Sequence, residues 1–377
     1  FIHLHDFFKK YTMEGNIEAK SMPVFFENDN KSALEAITEA QRIAFAPVVF
    51  QAVRLLRDKG ILQYLLDRRE EGATESEVVS AVNLSAYGVK VLLESGLGAG
   101  VCLLREGKYY LSKVGVFILN DKMTRVNMDF SQDICYKAMW HLEEAIEKGT
   151  PAGLKELGPW ETIYQGLSIL PEPAFSSWFN FDHFYSDQVF TKIMPIIFSE
   201  SPQKIFDIGG NTGKFSIACC DYNKEVTITI CDLAVQLDHA QDYLTKLGYA
   251  DRIKRHQINV LHDNLQFPGK ADVIMMSQFL DCFSKEEIVH ILKEAKNGLA
   301  PGGSIFILET YWDRQKFEIS AFCLQQTSLY FTAIANGNSK MYHSDEMKEC
   351  IDKAGLKVDL EMDNLGISHT LFRCRLA

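Results

Sequence analysis

Apolar residues recur at helical spacing through the first half of the chain and in short strand-like runs through the second. Ala33, Leu34, Ile37, Ala40, Ile43 and Ala44 stand three or four apart and predict a helix over residues 32–58. Pro47 is expected to interrupt it, since proline lacks the N–H that an interior turn needs. Thr74 and Glu77 form a capping box, in which hydroxyl and carboxylate each satisfy a free N–H at a helix start. A short helix over 75–82 follows, then a turn at 83–85 and a second helix over 86–95. Two strand-like pieces, 101–105 and 108–111, meet at Glu106-Gly107. Helix, helix and hairpin make a winged-helix pattern.

Residues 120–200 read as mostly helical. Trp178, Phe179, Phe181, Phe184 and Tyr185 give this stretch either an apolar core or one wall of a pocket for a flat ligand. From 204 onward strands and helices alternate. Strands are expected at 204–208, 226–231, 253–260, 271–277 and 304–308, and helices at 214–220, 235–246 and 285–298. A helix over 344–354 and two late strands, 357–362 and 370–375, end the chain. Repeated strand–helix units imply a doubly wound parallel sheet. The expected fold class is α/β. Residues 1–120 would form a mostly helical, winged-helix-like domain, 121–200 a helical linker lining the pocket, and 201–377 a Rossmann-like domain.

Charge narrows the partners. Lys and Arg number 39 against 50 Asp and Glu, a formal charge of −11. The presumptive recognition helix carries one Lys, Lys90, and one Glu, Glu94. A surface for nucleic acid or anionic lipid should be basic, so neither is an expected partner. The nine cysteines form no C-x-x-C pair and read as reduced thiols, which makes the cytoplasm the expected location. No apolar run is long enough to span a bilayer. The scattered histidines show no metal-binding spacing.

The chemistry gathers at Asp207-Ile208-Gly209-Gly210-Asn211-Thr212-Gly213, where a strand feeds a helix. Glycines at 209, 210 and 213 remove side chains where a ligand must touch backbone. The helix beyond offers free N–H groups. Asp232 closes the next strand, 19 residues after Gly213, and an acid there can receive both ribose hydroxyls of a nucleoside. Asp207 would repel a pyrophosphate and suit an ammonium. S-adenosylmethionine, with its ammonium, sulfonium and ribose, therefore fits this turn; a nicotinamide dinucleotide remains the alternative.

With Asp232-Leu233, Pro301-Gly302-Gly303 and Glu309 added to that turn, the chain resembles the class I S-adenosylmethionine-dependent O-methyltransferases, close to the caffeate and hydroxyindole enzymes and their bacterial relatives. The resemblance implies a homodimer whose front domain is a dimerisation domain. Asp207, Gly209, Gly210 and Gly213 would then hold the amino-acid end of the cofactor, Asp232 the ribose, and Leu233 the adenine. Asn259 and Val260 stand where the family has an acid–apolar pair at the adenine. Ser277 stands where it has a Lys, and Gln278 would help fill the site. The family's catalytic His falls on Asp281, backed by Glu309, while a second supporting acid falls on Met341 and is missing.

The expected reaction is methyl transfer to a hydroxyl of a small aromatic acceptor. Asp281 is either a weak base or an orienting acceptor, or only shapes the pocket around an acceptor that needs no base. The other classes that stay open are a nicotinamide-dependent oxidoreductase and a cofactor-binding relative with a non-methylating or regulatory role.

Overall fold

The computed structural model describes residues 25–186 and 188–377, so the first 24 residues of the expected front domain lie outside the described residues. The front layer is helical. Helix α1, Ala33–Asp58, opens with a capping box between Ser32 and Glu35 and continues unbroken through Pro47, where an interruption was expected. It is followed by α2, Ile61–Arg68, and by α3, Glu75–Ala81, which starts at the Thr74–Glu77 box. Helix α4, Ala86–Gly98, extends past its expected end, and Gly96 within it packs closely: a Cβ there would stand 3.0 Å from the Cys102 sulfur. Strands β1, Cys102–Arg105, and β2, Lys108–Leu111, pair antiparallel around Glu106 and Gly107, both left-handed. Leu56, Ile61, Leu62, Leu65, Val78, Val89 and Leu93 form the core of this layer.

Helix α5, Lys113–Asn120, and helix α6, Lys122–Phe130, lead into a π-turn, Ser131–Cys135. Helices α7, Leu142–Lys148, α8, Ala174–Ser186, and α9, Phe190–Ile197, complete the middle segment. Its core of Phe130, Ile134, Leu154, Ile163 and Leu167 also contains Tyr330, Phe331 and Ile334 from the far end of the chain. The expected aromatic stretch divides its work. Phe181 stacks on Phe130 at 4.2 Å, and the Trp178 indole donates to the Tyr330 hydroxyl at 2.8 Å.

The remaining chain builds one seven-stranded sheet in the order β5-β4-β3-β6-β7-β9-β8. Its strands are β3, Lys204–Ile208; β4, Thr227–Asp232; β5, Ile253–Gln257; β6, Ala271–Ser277; β7, Leu299–Glu309; β8, Leu356–Leu365; and β9, His369–Leu376. Strand neighbours in sequence point to opposite faces. Phe206, Ile274, Met276, Ile305 and Ile307 pack under α12, Lys285–Ala295, and α14, Ser344–Lys353. Ile205, Val273, Met275, Phe306 and Leu308 pack under α9, α10, Lys214–Tyr222, and α11, Ala234–Leu247. Helix α13, Glu318–Tyr330, closes the set by returning to the middle segment.

The sheet departs from the all-parallel expectation at one edge. β8 and β9 join through a tight turn at Gly366, with φ of +60°, so they form a hairpin, and β9 enters antiparallel beside β7. Strand order reverses at β3, whose neighbours β4 and β6 lead off in opposite directions; in such sheets ligands bind at the carboxyl ends of the strands around that point.

Ile307 is fully buried at the centre of this sheet. Ile307→Ala should cost about 3 kcal/mol, from lost apolar burial and the cavity left behind. Equilibrium urea denaturation measures it, and a midpoint equal to that of the parent would contradict the packing described.

Candidate active site

β3 ends where the chain must turn sharply over the sheet edge. Gly209 at φ +70°, Asn211 at +44° and Gly213 at +80° all adopt the left-handed conformation. A Cβ on Gly209 would stand 2.1 Å from the Phe279 ring, and one on Gly210 would stand 2.7 Å from Asp207 Oδ2. The turn is thus pressed between an aromatic ring and a carboxylate, and only glycine leaves room for both.

Asp207 lies beneath that turn, 1% exposed, with Ser216 Oγ donating to its Oδ2 at 2.7 Å. Burial pushes its carboxyl up to about 7, and the nearby Asp232 charge adds to the rise. Asp232 sits at the tip of β4. Its Oδ2 accepts the Asn211 N–H at 3.1 Å and its Oδ1 accepts the Leu233 N–H at 2.7 Å. Enclosure raises it to about 6 despite these bonds. Asn211 Oδ1 is buried without a partner in the same turn. Leu233 is extended, half-exposed and stands just ahead of α11.

Asn259 and Val260 follow β5, and the Ile258 N–H ties this stretch to the Asp232 carbonyl at 2.9 Å. Asn259 Oδ1 accepts from the Leu261 N–H, and its amide nitrogen meets His262 Nε2 at 3.2 Å. Val260 is packed into the sheet core. Ser277 ends β6 opposite Leu308. Gln278 turns left-handed at φ +47°, its N–H donates to the Leu308 carbonyl, and its Oε1 lies 2.9 Å from His369 Nε2.

The next turn carries the acids. Glu309, 1% exposed at the tip of β7, accepts the Phe279 and Leu280 N–H groups on one oxygen, Oε1, at 3.0 and 2.8 Å. Its other oxygen, Oε2, is buried with no hydrogen-bond partner. Burial and then the charge of Asp281 hold the Glu309 carboxyl well above its usual range. Asp281 is 7% exposed, and burial raises it to about 6. The Cys282 thiol donates to Asp281 Oδ1 at 3.5 Å. Asn336 Nδ2 holds the Cys282 carbonyl at 2.7 Å, and the Tyr342 hydroxyl holds that of Phe283 at 2.6 Å. Met341, at the position of the missing acid, receives the Thr310 hydroxyl on its sulfur.

All the sequence-singled residues therefore gather at or beside the carboxyl ends of β3 to β7. Further residues bear on the site without having been singled out. Ser216 had a local signal, a hydroxyl in the first turn after the glycines. His369, Asn336 and Tyr164 had none, since each reaches the site from a remote part of the chain. Among the described residues no group of His, Cys, Asp and Glu could hold a metal, and no helix is long and apolar enough to cross a membrane.

The chain matches the model of the dimerisation2-like domain over residues 38–109 and that of the O-methyltransferase domain over residues 186–357. It is 22% identical over 317 residues to an L-tyrosine C(3)-methyltransferase of Streptomyces lavendulae, spanning 83% of this chain and 85% of that one. A mitomycin 7-O-methyltransferase structure superposes with a TM-score of 0.69 at 18% identity, over 91% of this chain and 98% of the other. An O-methyltransferase from neocarzinostatin biosynthesis, in complex with S-adenosylmethionine and 2-hydroxy-5-methyl naphthoic acid, superposes with a TM-score of 0.62 at 17% identity, over 93% and 100%.

The raised Asp207 carboxyl has a consequence for the ligand-free protein. Between its ordinary value and about 7 the native state keeps a proton that the unfolded chain releases, so stability falls as pH rises through that window. Asp207→Asn carries no such cost. Its melting temperature relative to the parent should rise between pH 5 and pH 8, by the equivalent of roughly 3 kcal/mol. A difference independent of pH would show that Asp207 is not held in this state.

Proposed function

The chain is an S-adenosylmethionine-dependent methyltransferase with a dimerisation2-like domain ahead of its O-methyltransferase domain, and we propose that it methylates a hydroxyl of a small aromatic acceptor, with Asp281 at the reacting oxygen and Glu309 behind it. The observation that carries this reading is the contact between the two turns. Phe279, two residues before Asp281, lies against Gly209, so the acid pair and the glycine turn are neighbours at the carboxyl ends of the strands.

The cofactor supplies an electrophilic methyl group on a sulfonium. The residues present suit it on an observation of their own: Asp207 and Asp232 are both enclosed, with carboxyls pushed up to about 7 and 6, and a ligand bringing positive charge and hydroxyl donors offsets that cost. Each Asp232 oxygen already accepts one N–H and keeps lone pairs for the ribose hydroxyls. The unpartnered Asn211 oxygen is one more acceptor in the same turn. Asp207, beneath the glycines, acts on an ammonium above them through its field. In this reading Leu233 and Val260 give the adenine its apolar walls, while Asn259, Ser277 and Gln278 border it.

Asp281 accepts a hydrogen bond from the acceptor hydroxyl and receives its proton as the methyl moves. An ordinary phenol titrates near 10 and an ordinary aspartate near 3.9. Burial brings Asp281 to about 6 and so removes part of that mismatch. Holding the hydroxyl oriented toward the donor supplies much of the remaining rate. For the assembly, α1 leaves Leu34, Ile37, Ile43, Phe45 and Val48 exposed, and a second copy covering them is the homodimer that we propose.

Calorimetry should detect S-adenosylhomocysteine binding and no NAD binding, and Asp232→Ala should remove the former. Asp281→Asn should keep that affinity and slow turnover of any phenolic acceptor found by screening by ~100-fold or more. Binding of NAD instead would overturn the assignment, and an unchanged Asp281→Asn rate would leave this residue as pocket wall.

Light scattering of the parent should give twice the 42.8 kDa chain mass. The double variant Ile43→Asp with Phe45→Asp should give the single chain mass. A monomeric parent would contradict the homodimer.

A further inference from the structure

The charge around Asp281 bears on which acceptors the site takes, and this inference rests on Asp281 facing the acceptor. The titratable groups that the Asp281 charge acts on come from every element around it. They are Glu309 on β7, Tyr311 just after it, Cys282 alongside, Tyr164 from the middle segment and Tyr342 ahead of α14. One is a second acid, one a thiol and three are phenolic hydroxyls. Among the described residues no lysine, arginine or histidine bonds to Asp281 or Glu309, and none contributes to the state of Asp281.

Three buried polar atoms here have no hydrogen bond of good geometry: Glu309 Oε2, Tyr164 Oη and Tyr311 Oη. Among the described residues that bond to or act with these acids, the site therefore offers the Asp281 carboxylate, a Glu309 carboxyl that holds its proton more tightly than usual, and neutral hydroxyls, and no cation. An acceptor carboxylate placed against Asp281 would lose its water beside like charge, which low-dielectric surroundings make costly. A neutral O–H or N–H brings a donor to the Asp281 carboxylate.

We propose that the acceptor presents an uncharged, proton-bearing end to Asp281 and that the site discriminates against arene carboxylates through the Asp281 carboxylate. The chain would then differ from the structural neighbour whose complex contains a naphthoic acid. The selected class is uncharged aromatic alcohols and amines.

The test uses the full chain saturated with S-adenosylhomocysteine and two probes, 2-naphthol and 2-hydroxy-5-methyl naphthoic acid, followed by calorimetry at pH 8. The naphthol should bind at least tenfold more tightly than the acid. Asp281→Asn should bring the two within about threefold. Should that variant not fold, as loss of S-adenosylhomocysteine affinity would reveal, Asp281→Ser, which also removes the charge, serves in its place and should narrow the gap in the same direction. At pH 5, below the value of about 6 for Asp281, the parent's preference should also shrink, because the naphthoate stays ionised while Asp281 takes up a proton. Equal or tighter binding of the acid, a preference unchanged in the folded variant, or binding of neither probe overturns the proposal. Loss of S-adenosylhomocysteine binding by the parent would instead count against the methyltransferase reading itself.

Discussion

Glu309 accepts two backbone N–H groups on a single oxygen, and the reacting half of the site depends on that pair of bonds. The donors, Phe279 and Leu280, belong to the turn after β6, while the acceptor ends β7. Glu309 thereby joins two strand tips that the sheet ladder alone would leave to diverge. Buried N–H groups in a loop need partners, and a carboxylate supplies a stronger one than a carbonyl. Fixing Phe279 sets the ring that closes on Gly209, and fixing Leu280 sets the backbone that carries Asp281. The Asp281 charge in turn raises the proton affinity of Glu309, so the two acids are tied in state as well as in geometry.

The donor half shows the opposite economy. Asp207 and Asp232 are enclosed with few bonds and no cation, and both carboxyls rise as a result. Such burial is unfavourable in the ligand-free chain. It is tolerated because the surrounding core is extensive on both faces of the sheet, with Ile205, Val273, Met275 and Phe306 on one side and Phe206, Ile274, Met276 and Ile307 on the other. In the proposed reading a ligand that brings positive charge and hydroxyl donors offsets that cost.

The sequence made much of this legible, and the exceptions share a cause. The strand 204–208, the Thr74–Glu77 box, the hairpin at Glu106-Gly107 and the gathering of glycine turn and strand-tip acids all follow from local patterns. Periodicity and turn chemistry act over a few residues, so those features can be read directly. The helix through Pro47 could not be, because the local signal of a proline is a break and the helix runs on without that one bond. The antiparallel β9 depends on which strand lies next to β7, a choice made by tertiary packing. The burial of Asp207 under Gly210 and the pairing of Gln278 with His369, 91 residues away, are likewise contacts that no local pattern encodes.

That last pair shows why the C-terminal hairpin matters to the chemistry. β9 begins with His369, fully buried, and its imidazole is driven down to about 4 by burial alone. It stays neutral and can face the Gln278 amide at any pH near neutrality. Gln278 needs such a fixed partner because its left-handed backbone begins the turn toward Asp281. Asn336 and Tyr342 hold the far side of the turn by its carbonyls. The turn is thus held by β7, β9, Asn336 beyond α13 and Tyr342 ahead of α14. An acid at 281 does not loosen these restraints, since none of them uses its side chain. In the proposed reading the side chain at this position can therefore be exchanged while the backbone that aims it stays the same.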